Sequence, residues 1–275
     1  MNEVQKEKLR QCQIEMMDEV KRICDENNLK YYLSSGTLLG AIRHQGFIPW
    51  DDDVDLCMPR EDYNKFVKML PDKLGEKYFF VDWNNTPNYA LAFGKIMMKG
   101  TVLREEKGNP NLPNAIYIDI FPLDYICDDE KIEKKCCKKM YFYKRLLLSK
   151  CHYNSANTFI KKIIYSGLYV ISQFYSKQKL INLIENNIQL IGRKNKKYCY
   201  EITDSGVSRL SVDKKYLTDD FREDTEVVFE NKLYNAPIGY KNVLTDLYGD
   251  YMTPPPESAR ENYHGIIEID FGEDK

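Results

Sequence analysis

Four carboxylates stand within five residues, at Asp51, Asp52, Asp53 and Asp55. Such acids repel one another unless a cation neutralises them. Hard carboxylate oxygens suit Mg²⁺ or Mn²⁺, and Mg²⁺ takes few protein carboxylates, filling its other positions with water and substrate phosphate. The alternation of Val54, Leu56 and Met58 with polar residues predicts a strand over 53–58. On a strand, Asp51, Asp53 and Asp55 would share one face, each about 6.5–7 Å from the next. A metal-free acidic loop is the competing reading, and Trp50 and the apolar alternation argue against it by anchoring the segment to a core. A third ligand is expected from Asp119, which lies between isoleucines and is costly to bury without a partner. Upstream, Ser35, Gly36 and Thr37 read as a turn leading into a short helix, whose N–H groups and dipole can receive phosphate oxygens. Arg43, on that helix, is placed for a bidentate phosphate contact. Lys95, in a strand-like run, needs a counter-charge, either a phosphate or Asp119. The chemistry these residues describe is metal-assisted transfer at phosphorus, with Asp119 or Asp51 as candidate acceptor of the nucleophile's proton.

The elements that must position these groups follow from periodicity. Leu9, Cys12, Met16, Val20 and Ile23 recur at spacings of three and four, which predicts an amphipathic helix over 3–27. A short strand is expected at 30–34 and a short helix at 37–44. A helix at about 61–70 and strands at 77–82, 90–98 and 115–121 follow. Helices are expected at about 130–150, 157–175 and 178–195, a hairpin at 227–234, and a helix at about 240–248 that ends at Gly249 before Pro254, Pro255 and Pro256. The pattern is that of an α+β core over 1–130, a basic helical insertion over 131–200, and a C-terminal part, 201–275, that completes the core.

Composition bounds the function. The 275 residues carry a net charge of −2, which disfavours a general nucleic-acid coat and predicts no nucleic-acid partner. Residues 131–179 hold eleven Lys and one Arg against the single acid Glu133, interleaved with aromatic and aliphatic residues. A solvated lysine face is one reading of that stretch; peripheral contact with an anionic lipid surface is the other. The N-terminus lacks the apolar core of a secretory signal and no run is long enough to span a membrane, so a cytoplasmic location is expected, with the inner membrane face as a candidate site of action. Eight cysteines show no C-x-x-C spacing and read as reduced thiols. Three histidines, at 44, 152 and 264, lie in no nucleophile motif, which disfavours serine or cysteine chemistry.

The run Ser35-Gly36-Thr37-Leu38-Leu39-Gly40-Ala41-Ile42-Arg43, with Gly46-Phe47-Ile48-Pro49-Trp50 and the acids that follow, closely resembles the LicD family. Ile118 to Asp124, and Tyr248 to Met252 with Pro254, Pro255, Arg260 and His264, resemble it as well. That family includes bacterial phosphocholine transferases and is related to the fukutin-type ribitol-phosphate transferases. The resemblance implies a nucleotidyltransferase-like mixed β-sheet flanked by helices, with Gly36, Asp53, Asp55 and Asp119 at the places of its glycine turn and acids. It also implies a CDP-alcohol donor, such as CDP-choline, and a glycan hydroxyl as acceptor, lipid-linked in one version, with CMP released. Arg260 and His264, after the proline run, are expected to close over donor or acceptor. Nucleotidylyl transfer and metal-dependent glycosyl transfer use related acids and stay open as alternatives.

Overall fold

The computed structural model describes all residues except 107–108, 154–158, 203–211, 213, 261–264 and 273–275. The fold is α+β, helices around a curled mixed sheet. The chain divides into two compact units. One comprises residues 1–80, 94–122 and 219–275; the other comprises 81–93 and 123–218. Against the insertion expected at 131–200, the second unit begins earlier and also takes in 81–93.

In the first unit, α1 (Glu3–Asn27) opens with a reciprocal cap. The Asn2 side chain accepts from the Gln5 N–H at 2.8 Å, and the Gln5 side chain accepts from the Asn2 N–H at 3.0 Å. Its buried stripe includes Leu9, Met16, Met17, Val20 and Ile23, and Asn28 ends it in the left-handed conformation, φ 52°. β1 (Tyr32–Leu33) leads into α2 (Ser35–His44), which begins two residues earlier than the sequence predicts. β2 (Asp55–Pro59), α3 (Arg60–Lys73), β3 (Tyr78–Val81), β4 (Gly94–Met98), β5 (Val102–Glu105) and β6 (Tyr117–Ile126) follow, the last residues of β6, 123–126, belonging to the second unit. The sheet order is β1-β2-β6-β4-β3, with β1 antiparallel to β2 and β4 antiparallel to β6.

The second unit is chiefly helical: α4 (Glu130–Lys150), α5 (Phe159–Ser172) and α6 (Lys177–Ile191). β7 (Tyr198–Tyr200) pairs with the end of β6 at 124–126, and β8 (Tyr216–Leu217) pairs with β7. Glu133, the one acid of the basic stretch, is buried and held by Lys215 at 2.6 Å.

The chain then completes the first unit. β9 (Asp224–Phe229) and β10 (Lys232–Pro237) form the expected hairpin, longer at both ends. α7 (Tyr240–Tyr248) stops at Gly249, φ 67°, and β11 (Ile266–Asp270), which the sequence does not announce, pairs antiparallel with β5. Seven of the eight cysteines are buried, and Cys12 is partly exposed. Among the described residues no helix is long and apolar enough to cross a membrane.

Candidate active site

α2 faces the acids across a short gap. Its N-cap, Ser34, makes no side-chain cap, and Ser35 holds φ at 44°, in the left-handed region that serine seldom visits. The Thr37 hydroxyl oxygen accepts from the Asp55 N–H at 2.9 Å, and Ser34 donates its own N–H to the Asp55 carbonyl at 3.0 Å. Asp55 therefore starts β2, and residues 51–54 run outside the sheet. This corrects the expected strand over 53–58. The acids do not share one strand face; a folded loop brings Asp51, Asp52 and Asp53 together instead, with one ligand atom of each within 4.8 Å of the others.

Two devices hold that loop. A polar stripe on α1 reaches its backbone: Lys6 donates to the Pro49 carbonyl, Arg10 to that of Ile48 at 3.0 Å, and Gln13 to that of Asp52 at 2.8 Å. The second device is an absence. A Cβ on Gly36 would stand 2.6 Å from Asp51 Oδ2, so only glycine lets that carboxylate approach the first turn of α2.

A cavity of about 630 Å³ opens here. Asp51, Asp53 and Asp55 line it beside Ser35, Gly36 and Arg43, and Trp50, Tyr248, Asp250, Tyr251 and Thr253 form the rest of its polar and aromatic wall. Arg43 donates to the Tyr251 carbonyl at 2.9 Å, and burial lowers its pKa. Trp50 carries two guanidinium groups, Arg43 at 6.0 Å and Arg260 at 4.9 Å from its ring centroid. Arg260 also reaches Glu257 at 3.8 Å and donates to the Pro255 carbonyl at 3.0 Å. His264 lies outside the described residues.

Asp119 does not line this cavity. Its N–H donates to the Val54 carbonyl at 2.9 Å, one residue from Asp53, and its carboxylate pairs with Lys95 at 2.6 Å. Burial pushes the Asp119 pKa up to about 6; Lys95 pulls it down, while Asp53 and Glu105 add to the rise. Lys95 lies over the Tyr117 ring, 3.4 Å from its centroid, and the Tyr117 hydroxyl donates to Glu105. Of the two counter-charges open to Lys95 on sequence grounds, the fold supplies Asp119. Thr37 is likewise turned from the cavity, its hydroxyl used in tying Asp55 to α2.

Sequence reasoning missed Lys6, Arg10, Gln13, Glu105, Tyr117 and Asp250. Polar residues on an amphipathic helix read as solvated, and their carbonyl partners lie some forty positions away. The carboxylate set fits a divalent cation. Asp51 and Asp53 offer hard oxygens at a cavity wall, and the glycine gap admits Asp51.

A cavity combining clustered acids, the first turn of a helix and a guanidinium group, with a second guanidinium on its wall residue Trp50, suits the handling of phosphate esters. Residues 28–153, which carry α2, the acid loop and Asp119, match the family model described as the LicD/FKTN/FKRP nucleotidyltransferase domain. The chain is 29% identical over 256 residues to the lipopolysaccharide cholinephosphotransferase LicD of Haemophilus influenzae, covering 91% of this chain and 92% of that one. It is 32% identical over 119 residues to an uncharacterized protein of Rickettsia prowazekii, 42% of each chain. Residues 28–153 thus form a LicD-type nucleotidyltransferase domain, and the chain resembles a LicD protein along most of its length.

Proposed function

We propose that this protein is a transferase of phosphorus-containing groups that moves phosphocholine from CDP-choline to a hydroxyl of a lipopolysaccharide-type glycan, releasing CMP. The similarity to a lipopolysaccharide cholinephosphotransferase over nearly the whole of both chains supports the coarse reaction. The observation that carries the finer reading is the cavity wall. Its aromatic side chains, Trp50, Tyr248 and Tyr251, stand with four carboxylates, Asp51, Asp53, Asp55 and Asp250. A quaternary ammonium is held by aromatic faces and acidic neighbours. An alditol would call on Asn, Asp and Gln; the wall has Asp but, among its described residues, no Asn or Gln, so it is the three aromatic rings that favour choline. Trp50 is engaged by Arg43 and Arg260, so Tyr248, Tyr251 and Asp250 are assigned the choline end.

Asp51 and Asp53, with Asp52 beside them, would hold Mg²⁺ or Mn²⁺. A bound divalent cation would supply charge neutralisation on the diphosphate, which otherwise repels an oxygen nucleophile. The protein's own groups do the rest. The first turn of α2 presents N–H groups and the positive end of its dipole to phosphate oxygens. Arg43 lines the cavity, Arg260 rests on its wall residue Trp50, and both are assigned to the diphosphate. Asp51, at the cavity wall, is assigned the proton of the acceptor hydroxyl, while Asp119, outside the cavity and paired with Lys95, supports the acid loop through the Val54 carbonyl. No phosphoryl group need be carried on the protein.

The test is a donor panel of CDP-choline, CDP-ribitol and CDP-glycerol with Mg²⁺ and a lipopolysaccharide acceptor. CMP and phosphocholine-modified glycan are expected from CDP-choline alone. Turnover of an alditol donor in preference to CDP-choline would overturn the choline assignment, and release of free phosphocholine with CMP bound to the acceptor would make the chain a nucleotidylyltransferase.

A further inference from the structure

The second unit presents an apolar face that its own packing leaves outside. On α5, Ile160 is 70% exposed, Ile163 57% and Val170 60%, and Phe174, just beyond the helix, is 84% exposed. Ile164 and Ile171 are exposed beside them. At roughly 100° per residue, these six fall within about a third of the helix circumference. The other side packs on α4: Ser149 donates to the Tyr165 carbonyl at 3.2 Å, Lys150 to the Ser172 carbonyl at 3.3 Å, and Ser172 is fully buried. A helix normally turns its apolar stripe inward; α5 turns one outward.

The exposed charge of residues 131–179 has one sign. The only acid in residues 131–179 is Glu133, which is buried against Lys215, so each exposed charged residue described in that stretch is a cation. On α4 these are Lys131, Lys134, Lys135, Lys138 and Lys139. Helices α4 and α5 thus combine bulky apolar side chains with a large excess of lysines, opposed on the exposed surface of α4 by Glu130 alone, complementary to a surface that is apolar beneath and anionic above. The 14 residues of α5 are too few to span a bilayer and suit a helix lying in the headgroup plane. We infer that α5 is a docking element for an anionic membrane surface, with the α4 lysines as its electrostatic partner. This inference is independent of the catalytic reading.

The experiment is co-sedimentation of the full chain with vesicles of phosphatidylcholine alone or equimolar with phosphatidylglycerol, across a salt series. Binding to the anionic vesicles is expected, weakening as salt rises. Ile163→Ser with Val170→Ser, both at exposed positions, should keep the thermal midpoint and weaken binding roughly tenfold. Lys134→Gln with Lys138→Gln should weaken it by a similar factor and flatten the salt dependence. The inference fails if the chain stays in the supernatant with anionic vesicles at low salt, or if the serine pair leaves binding unchanged. It also fails if that face is covered by a second copy, which would appear as a dimer in sedimentation velocity that the serine pair dissociates.

Discussion

Replacing Gly36 with alanine separates the site from the fold. The added Cβ would stand 2.6 Å from Asp51 Oδ2, where ordinary contact begins at 3.4 Å, so the carboxylate must retreat by about 0.8 Å. It can do so, being the free end of a side chain rather than backbone. The helix itself gains, since alanine is up to about 1 kcal/mol better than glycine in a helix interior, and less in a first turn. The thermal midpoint should therefore hold within about 2–4 °C. Activity should not hold. A displacement approaching 1 Å in a positioned catalytic group can cost on the order of 100-fold in rate, and a misplaced ligand should raise the Mg²⁺ needed for half-activation by about tenfold or more. The assay is CMP release against Mg²⁺ concentration, with melting followed by fluorescence. Wild-type turnover with an unaltered Mg²⁺ profile would refute the placement of Asp51 at the metal. A collapse of the melting temperature would show instead that the contact is packing.

Gly40→Ala is the contrasting case. Its Cβ would meet the Gly46 carbonyl oxygen, a backbone atom, at 2.5 Å, so a loss of about 1–3 kcal/mol in stability is expected in urea unfolding, with the Mg²⁺ profile unchanged. Asp53→Asn should abolish CMP release while circular dichroism and the melt stay native, because removing one of several crowded carboxylates relieves repulsion in the metal-free site; retained turnover with Mg²⁺ present would remove Asp53 from the mechanism. For Asp119, the folded-state pKa of about 6 lies above the ordinary 3.8. The folded chain thus holds this proton more tightly, and the metal-free protein should lose stability as pH rises from about 4 to about 6, by at most about 3 kcal/mol. Asp119→Asn should match wild type near the acid end of that window and be the more stable above it. A gap between the two melts that does not vary with pH would count against a buried, titrating Asp119.

Much of the architecture is legible in the sequence because it is local. The 3.6-residue stripe of α1, the stop at Gly249 and the hairpin at β9 and β10 each depend on neighbours within a few positions. The site is legible in its membership and not in its geometry. Asp51, Asp53 and Asp55 are readable as a cluster, but their alternation suggests a strand that begins too early. The register of β1 with β2 pairs Leu33 with Leu56, and Thr37 takes the Asp55 N–H; both are contacts between segments that spacing does not encode. The same holds for Lys95 opposite Asp119, a pairing set by β4 against β6. Lys6, Arg10 and Gln13 were invisible because a polar side chain that holds a remote carbonyl has the same sequence signature as one that meets water.

The first unit is assembled from three separate stretches of chain, and this bears on how the protein is made. Tyr32, on β1, donates its hydroxyl to the Phe221 carbonyl at 3.0 Å, β10 packs on β1, and Arg43 donates to Tyr251. On a ribosome adding about 5–20 residues per second, α2 and the acid loop emerge long before these partners exist. Residues 81–93 and 123–218 are all synthesised before Asp219, so the helical unit can be complete while the catalytic one still lacks a wall. The nascent intermediate would hold its four clustered acids at an open half-cavity, with part of the core uncovered. A chain released early, shortly after Thr218, would keep the acid cluster at 51–55 and lack the hairpin, Tyr248, Asp250 and Tyr251. Survival of that intermediate rests on the speed of the last fifth of translation and on whatever shields the exposed sheet until then.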